Sequence, residues 1–229
     1  VTLDLFPSPA DVRQLFLCRA GAAEAGEVHP TLRPLIGVPA EDIAAWHERT
    51  RTDRRASGTY YTPPALADAL VDAALDTLGR RPERVLDPTC GAGSILAAVA
   101  DRLEAHGAGA DDIVRALAGI DVDPMALAIA KWRLLERGGR VRDPPAEHDA
   151  QWLVADALAV DTCPAEPPDL VIGNPPFGNA IGRETRRSDP ERADYAHRFP
   201  HAAQGAYDRA GLFLERAIEW VRPGGCVAL

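Results

Sequence analysis

The stretch RVLDPTCGAGSIL, Arg84 to Leu96, reads as a short buried strand that turns through glycines into a helix. Asp87 ends the strand, Gly91 and Gly93 let the backbone turn tightly and let a ligand come close, and a helix is expected from Gly91 to Leu103. Before it, Ala65 to Leu78 has the spacing of an amphipathic helix behind Pro63-Pro64. After it come a strand at Leu117–Asp121, a helix at Pro124–Glu136, and strands at Trp152–Ala155 and Asp169–Gly173. A helix at Gly211–Val221 and a last strand from Cys226 to Leu229 follow.

Strands alternating with helices at this spacing predict an α/β fold, a mostly parallel sheet with right-handed crossovers and helices on both faces. Ligands of such sheets bind at the carboxyl ends of the strands. Asp87 and Asp121 end two strands there, Asp156 follows the third, and Asn174 follows the fourth. Residues 1–56 form a helical N-terminal extension in this reading. Ser8 caps a helix from Pro9 to Ala22, Glu24 to Pro39 is loop, and Ala40 to Thr52 is a helix with Ile43, Ala44 and Trp46 as contacts. Trp132 and Trp220 are expected in the core, and the six histidines receive no role.

Composition narrows the function classes. Hydrophobic residues at 46% support a sizeable core, and a net charge of -9 argues against a tight nonspecific nucleic-acid binder while leaving room for a local basic cleft. Cys18, Cys90, Cys163 and Cys226 are scattered without a CxxC pair, which reads as reduced thiols of a cytoplasmic protein with no zinc site. No apolar run is long enough to span a bilayer, so no membrane partner is expected.

The glycine turn lacks a third glycine, because position 96 is Leu. The dinucleotide fingerprint is therefore incomplete, and a ligand without a pyrophosphate fits better. Asp121 is placed to bond both hydroxyls of a ribose, and Asp156 can accept a hydrogen bond from an adenine amino group. Asp123, before Pro124, reads as a helix cap, and Cys90 as a small filler.

Asp87-Pro88-x-Cys90-Gly91-x-Gly93, then Asp121, Asp156 and the run NPPF at Asn174 to Phe177, resembles the S-adenosylmethionine-dependent amino-methyltransferases. Within them it is most similar to N6-adenine DNA methyltransferases of restriction-modification systems, because GTYYTP, Gly58 to Pro63, lies upstream. The resemblance covers about Ser57 to Leu229. It implies a Rossmann-like, doubly wound class I methyltransferase core at residues 57–229, with S-adenosylmethionine as cofactor and DNA as partner. Tyr61 and Thr62 would contact the methionine end. Asp87, Pro88, Cys90, Gly91 and Gly93 would line the turn, Asp121 would take the ribose, and Asp156 the adenine. The residue after Asp156 is Ala157 rather than an aromatic, so stacking on the adenine would come from Val122 or Leu158.

In that setting NPPF has a chemical purpose. An aromatic amine is a poor nucleophile because its lone pair is delocalised. The Asn174 side-chain oxygen and the Pro175 carbonyl can accept its two hydrogens and favour a tetrahedral nitrogen. Pro175 and Pro176 hold them stiffly, Phe177 offers a face for stacking, and flanking Gly173 and Gly178 leave room for the base. A base within a duplex must be flipped out to reach such a clamp. Arg183 to Arg198 alternate with acids and read as a solvated flexible loop. Arg186 and Arg187 are expected to touch the DNA backbone, with Arg54 and Arg55 as a second site.

The chain ends at Leu229, just inside a strand, and begins at Val1. The resemblance implies two further strands and a recognition domain, so a catalytic-core fragment, or a subunit completed by a separate specificity chain, is expected. Three rival functions share some of these features. They are a methyltransferase acting on a protein glutamine or an RNA base, a non-catalytic cofactor-binding subunit of a defence complex, and a nicotinamide-dependent oxidoreductase.

Overall fold

The computed structural model describes residues 7–50, 62–145, 148–161, 166–177, 190–205 and 207–229. Five strands form one sheet: β1 (Val85–Asp87), β2 (Leu117–Asp121), β3 (Trp152–Val154), β4 (Leu170–Ile172) and β5 (Cys226–Ala228). Their order is β3-β2-β1-β4-β5 and every pairing is parallel, as the alternation of strands and helices predicts. β1 is central, and the order reverses beside it. The crevice beside such a reversal is where open α/β sheets hold ligands.

Side chains on the strands alternate between two cores, the period-2 signature of a sheet buried on both faces. Val85, Leu117 and Leu170 join the core formed with α3 (Pro64–Leu78), α4 (Ser94–Ala105) and α5 (Ala110–Ala116). Leu86, Ala118 and Ile120 face the other way, onto the core formed with α7 (Pro190–Arg198) and α8 (Arg209–Trp220). Asp169, just before β4, is fully buried. It accepts the Glu83 and Arg84 amides at 2.8 and 2.9 Å and is ion-paired with Arg80 and Arg222, which ties β4 to the chain entering β1.

The N-terminal helices α1 (Pro9–Arg19) and α2 (Ala40–Thr50) pack on α6 (Pro124–Arg137). Helix α6 has two buried sides. Leu127, Ala130 and Leu134 face the sheet, while Ile129, Trp132 and Leu135 meet Leu15, Phe16 and Ile43 of the extension. Trp132 and Trp220 are buried as expected, and Ser8 caps α1 in a reciprocal pair with Asp11. Arg19, in the last turn of α1, forks onto Glu136 at 2.7 and 3.0 Å, fastening the extension to α6.

Several boundaries differ from the sequence expectation. Helix α4 starts at Ser94, not Gly91, because Gly91 and Gly93 have φ of 51° and 81° and form the turn before it. The loop before α2 contains short 3-10 turns at Ala25–Glu27 and Arg33–Leu35. Helix α5 is an element the periodicity did not reveal; seven residues are too few for a clear helical stripe. Pro190 to Arg198 is helical rather than loop, and Arg198 is committed to Asp194 and Asp161 at 2.8 and 2.5 Å. Among the described residues, no helix is long and apolar enough to cross a membrane.

Candidate active site

A cleft of about 280 Å³ opens at the carboxyl ends of β1, β2 and β4. Thr62, Asp87, Pro88, Cys90, Gly91, Asp121, Val122, Asp156, Ala157, Asn174 and Pro176, all expected at a site, line it together. Gly93 lies just behind the lining, where a Cβ would come within 2.9 Å of the Ala130 Cβ. Tyr61, Gly178, Arg54, Arg55, Arg186 and Arg187 lie outside the described residues.

The glycine turn is wired inward. The Cys90 amide donates to the Ile120 carbonyl at 2.9 Å, and the Gly91 amide to Asp121 Oδ2 at 2.7 Å. Asp121 Oδ1 accepts the Asp123 amide at 2.8 Å. Two amides that would face a pyrophosphate in a dinucleotide fold are thus already used, and the carboxylates around them would repel phosphate. A carboxylate oxygen has two lone pairs, so the acceptor chemistry of Asp121 is of the kind a ribose hydroxyl needs.

Asp87 is 1% exposed. Burial pushes its carboxyl up to about 8; the Thr89 amide, donating to Oδ1 at 3.0 Å, opposes this, and the nearby Asp121 charge adds to it. A buried carboxyl beside a second one fits a cationic ligand group, such as the ammonium or sulfonium of S-adenosylmethionine. Burial, with the charges of Asp121 and Asp87, also pushes the Cys90 thiol well up, so it is no thiolate nucleophile at neutral pH. Its space-filling role is direct: a Cβ on Gly119 would sit 2.7 Å from Cys90 Sγ and 2.8 Å from the Trp152 ring.

Asp123 caps α6, accepting the Met125 and Ala126 amides at 2.9 and 3.2 Å. Its other oxygen meets His47 Nε2 of α2 at 3.0 Å. Burial resists ionisation, but the His47 contact and the two amides bring the Asp123 carboxyl down to about 2. The N-terminal extension thereby reaches the turn that holds Asp121. No spacing in the sequence links His47 to Asp123, and the histidine was given no role for that reason.

The NPPF loop leaves β4 at Gly173. A Cβ there would lie 2.8 Å from Asp87 Oδ1, so the missing side chain makes room for Asp87. Asn174 donates from Nδ2 to the Thr62 hydroxyl at 3.1 Å, leaving its side-chain oxygen free of that contact. Pro175 is buried, and Phe177 is 60% exposed beyond the cleft lining. Of the stacking candidates, Val122 lines the cleft and is 62% exposed, whereas Leu158 is fully buried in the core below. Of the lining residues not expected at a site, Thr89, Ala92, Ser94, Ile95 and Ala155 lie beside expected ones in sequence, whereas Phe213 and Arg209 come from α8, far from any motif. Phe213 falls in the helix expected at Gly211–Val221, whose amphipathic pattern does not say which end reaches a site, and Arg209 lies before that expected helix begins.

Comparison with known proteins agrees with this architecture. The family model for N-6 DNA Methylase matches residues 47–229. The chain is 29% identical over 174 residues to the Type II methyltransferase M.TthHB8I of Thermus thermophilus, covering 75% of this chain and 33% of that protein. It is 29% identical over 133 residues to the Type I restriction enzyme MjaIX methylase subunit of Methanocaldococcus jannaschii, covering 57% of this chain and 21% of that one. The chain thus spans a third or less of the length of these relatives. A Listeria monocytogenes structure assigned to the class I S-adenosylmethionine-dependent methyltransferases aligns over 94% of this chain and 63% of its own, with a TM-score of 0.55 and 18% identity. The DrdV–DNA complex aligns over 85% of this chain and 23% of its own, with a TM-score of 0.59 and 16% identity. At these identities the structures establish a shared fold. Because the family match takes in the glycine turn, the acid-lined cleft and the NPPF loop alike, the chain belongs to the N-6 DNA methylase family, a family of S-adenosylmethionine-dependent enzymes.

Proposed function

We propose that residues 57–229, preceded by a helical extension at 1–56, are the catalytic core of an enzyme that methylates the N6 amino group of adenine in DNA. The setting would be a restriction-modification or phage-defence system. The observation that carries this reading is that Asn174 lies in the same cleft as Asp87, Gly91 and Asp121, tied to Thr62. A methyl-donor site and an amine clamp are side by side.

S-adenosylmethionine, when bound, supplies an activated methyl group on sulfur. Asp121 would hold its ribose, Asp156 its base, and Thr62 and Asp87 the methionine end, with Val122 as an apolar face. Asn174, through its side-chain oxygen, and Pro175, through its carbonyl, would accept the two hydrogens of the target amine and free its lone pair. Phe177, exposed at the rim, would stack on a base turned out of the duplex. The amine proton would leave to solvent. Positioning and preorganised acceptors provide the rate gain, and no general base is required. The carboxylates of the cleft and the internally bonded glycine turn weigh against the nicotinamide alternative.

The test is nucleoside mass spectrometry on DNA from cells that lack their own adenine methylation. The chain, and separately its Asn174→Ala variant, would be expressed in them. N6-methyladenine that depends on Asn174 is the expected result. Its absence with both, while the wild-type chain binds S-adenosylmethionine, would point to a protein or RNA amine instead.

A further inference from the structure

We infer that Arg209 is a positioning residue for Asp156 and so sets the preference of the cofactor site for a 6-amino over a 6-oxo purine. This rests on the reading of the cleft as an S-adenosylmethionine site with Asp156 at its base. The two residues come from separate elements. Asp156 follows β3, and Arg209 is the first residue of α8, beyond the cap Asp208. Both line the cleft. Arg209 Nη2 lies 3.2 Å from Asp156 Oδ2, while Asp156 Oδ1 accepts the Leu158 amide at 2.9 Å.

This arrangement holds the carboxylate from both sides. One oxygen is fixed by backbone and the other by a guanidinium, and each retains one acceptor site. An ionised carboxylate only accepts. It matches the hydrogens of a 6-amino group and repels the oxygen of a 6-oxo group. The discrimination therefore depends on Asp156 being held in place. A freed side chain, already about a third exposed at the cleft, would turn toward solvent. The planar, permanently charged Arg fork suits this task better than a flexible ammonium.

The experiment is calorimetric titration of the intact chain with S-adenosylhomocysteine and with S-inosylhomocysteine, its 6-oxo counterpart. Neither carries a sulfonium, so the charge of residue 209 does not act on a ligand charge at sulfur. The wild type is expected to favour the adenosyl ligand by at least about tenfold, the worth of one charge-assisted hydrogen bond. Arg209→Gln should cut that preference below about threefold, through weaker adenosyl binding, with inosyl affinity unchanged within about twofold. Arg209→Lys should show a smaller loss, and it carries the test if the Gln variant does not fold. An unchanged ratio in the variants, with both affinities falling together, would reduce Arg209 to a tie between α8 and the sheet and overturn the inference. Equal wild-type affinity for the two ligands would also overturn it, while leaving the cofactor reading intact. No wild-type affinity for either would remove the cofactor reading itself.

Discussion

The two halves of the cleft are built differently. Around Asp87, Gly91 and Asp121, the polar groups are buried and bonded to backbone within a few residues of one another or across adjacent strands. The loop from Asn174 to Phe177 instead follows the carboxyl end of β4. It is tied by one side-chain bond to Thr62, 112 residues away in sequence, and ends in an exposed aromatic ring. The half proposed for the cofactor is thus preformed by the fold, whereas the loop half is held, among the described residues, by a long-range side-chain bond. Damage to the first should reach folding and ligand affinity together. Damage to the second should reach turnover alone.

The largest effect should come from Asn174→Ala. Methyl transfer is expected to fall by at least about 10²–10³-fold, the cost of removing one preorganised acceptor. The S-adenosylmethionine Kd should stay within about twofold by titration calorimetry. Parallel loss of both would erase the contrast between the halves.

Asp87 gives the cofactor half a pH signature. Its folded-state pKa is raised to about 8 from an ordinary value of 3.8, so between these limits the folded protein holds a proton that the unfolded chain has lost. This contribution to stability is greatest below about pH 4, declines as pH rises towards 8, and is level above that. Denaturant unfolding from pH 5 to 8.5 should show the decline, and Asp87→Asn should flatten it. S-adenosylmethionine, placing positive charge beside this carboxyl, should release protons on binding at pH 7. That release is measured as a buffer-dependent binding enthalpy.

Asp121→Ala should weaken cofactor binding by about 1.5–3 kcal/mol through a lost charged acceptor. It should also lower the melting temperature, because the Gly91 and Asp123 amides lose their partner. Gly119→Ala should destabilise the fold by about 1–3 kcal/mol, because the added methyl meets Cys90 and Trp152 inside van der Waals contact. Thr62→Val is the smallest and the most informative. One neutral hydrogen bond is worth about 0.5–1.5 kcal/mol, so turnover should fall by several-fold through Asn174, and cofactor affinity by a similar factor through the methionine end. Unchanged affinity with slower turnover would assign Thr62 to Asn174 alone and remove it from the methionine end.

Much of this was legible beforehand because it is local. Glycines at a strand-to-helix turn, a proline-stiffened loop and acids at successive strand ends are all decided within a few residues, by backbone sterics and strand periodicity. The misses have the same origin. That Gly173 also makes room for Asp87 was not legible, because Asp87 lies 86 residues earlier and reaches it only through the β1–β4 pairing. Leu158 looked available for stacking because an apolar residue beside a site residue has no mark of burial until a helix covers it.

By itself, then, the amino-acid sequence determined the strand–helix alternation, the glycine turn and the identity of the groups at the strand ends. Each follows from the conformational limits and polarity of neighbouring residues. Only the tertiary structure decided that Thr62 bonds Asn174, that His47 of the extension braces Asp123, and that Arg209 reaches Asp156, at separations of 112, 76 and 53 residues. Such pairs have no period and no spacing. Packing of whole elements brings them together, and the low dielectric of the interior then favours pairing of the polar groups it buries.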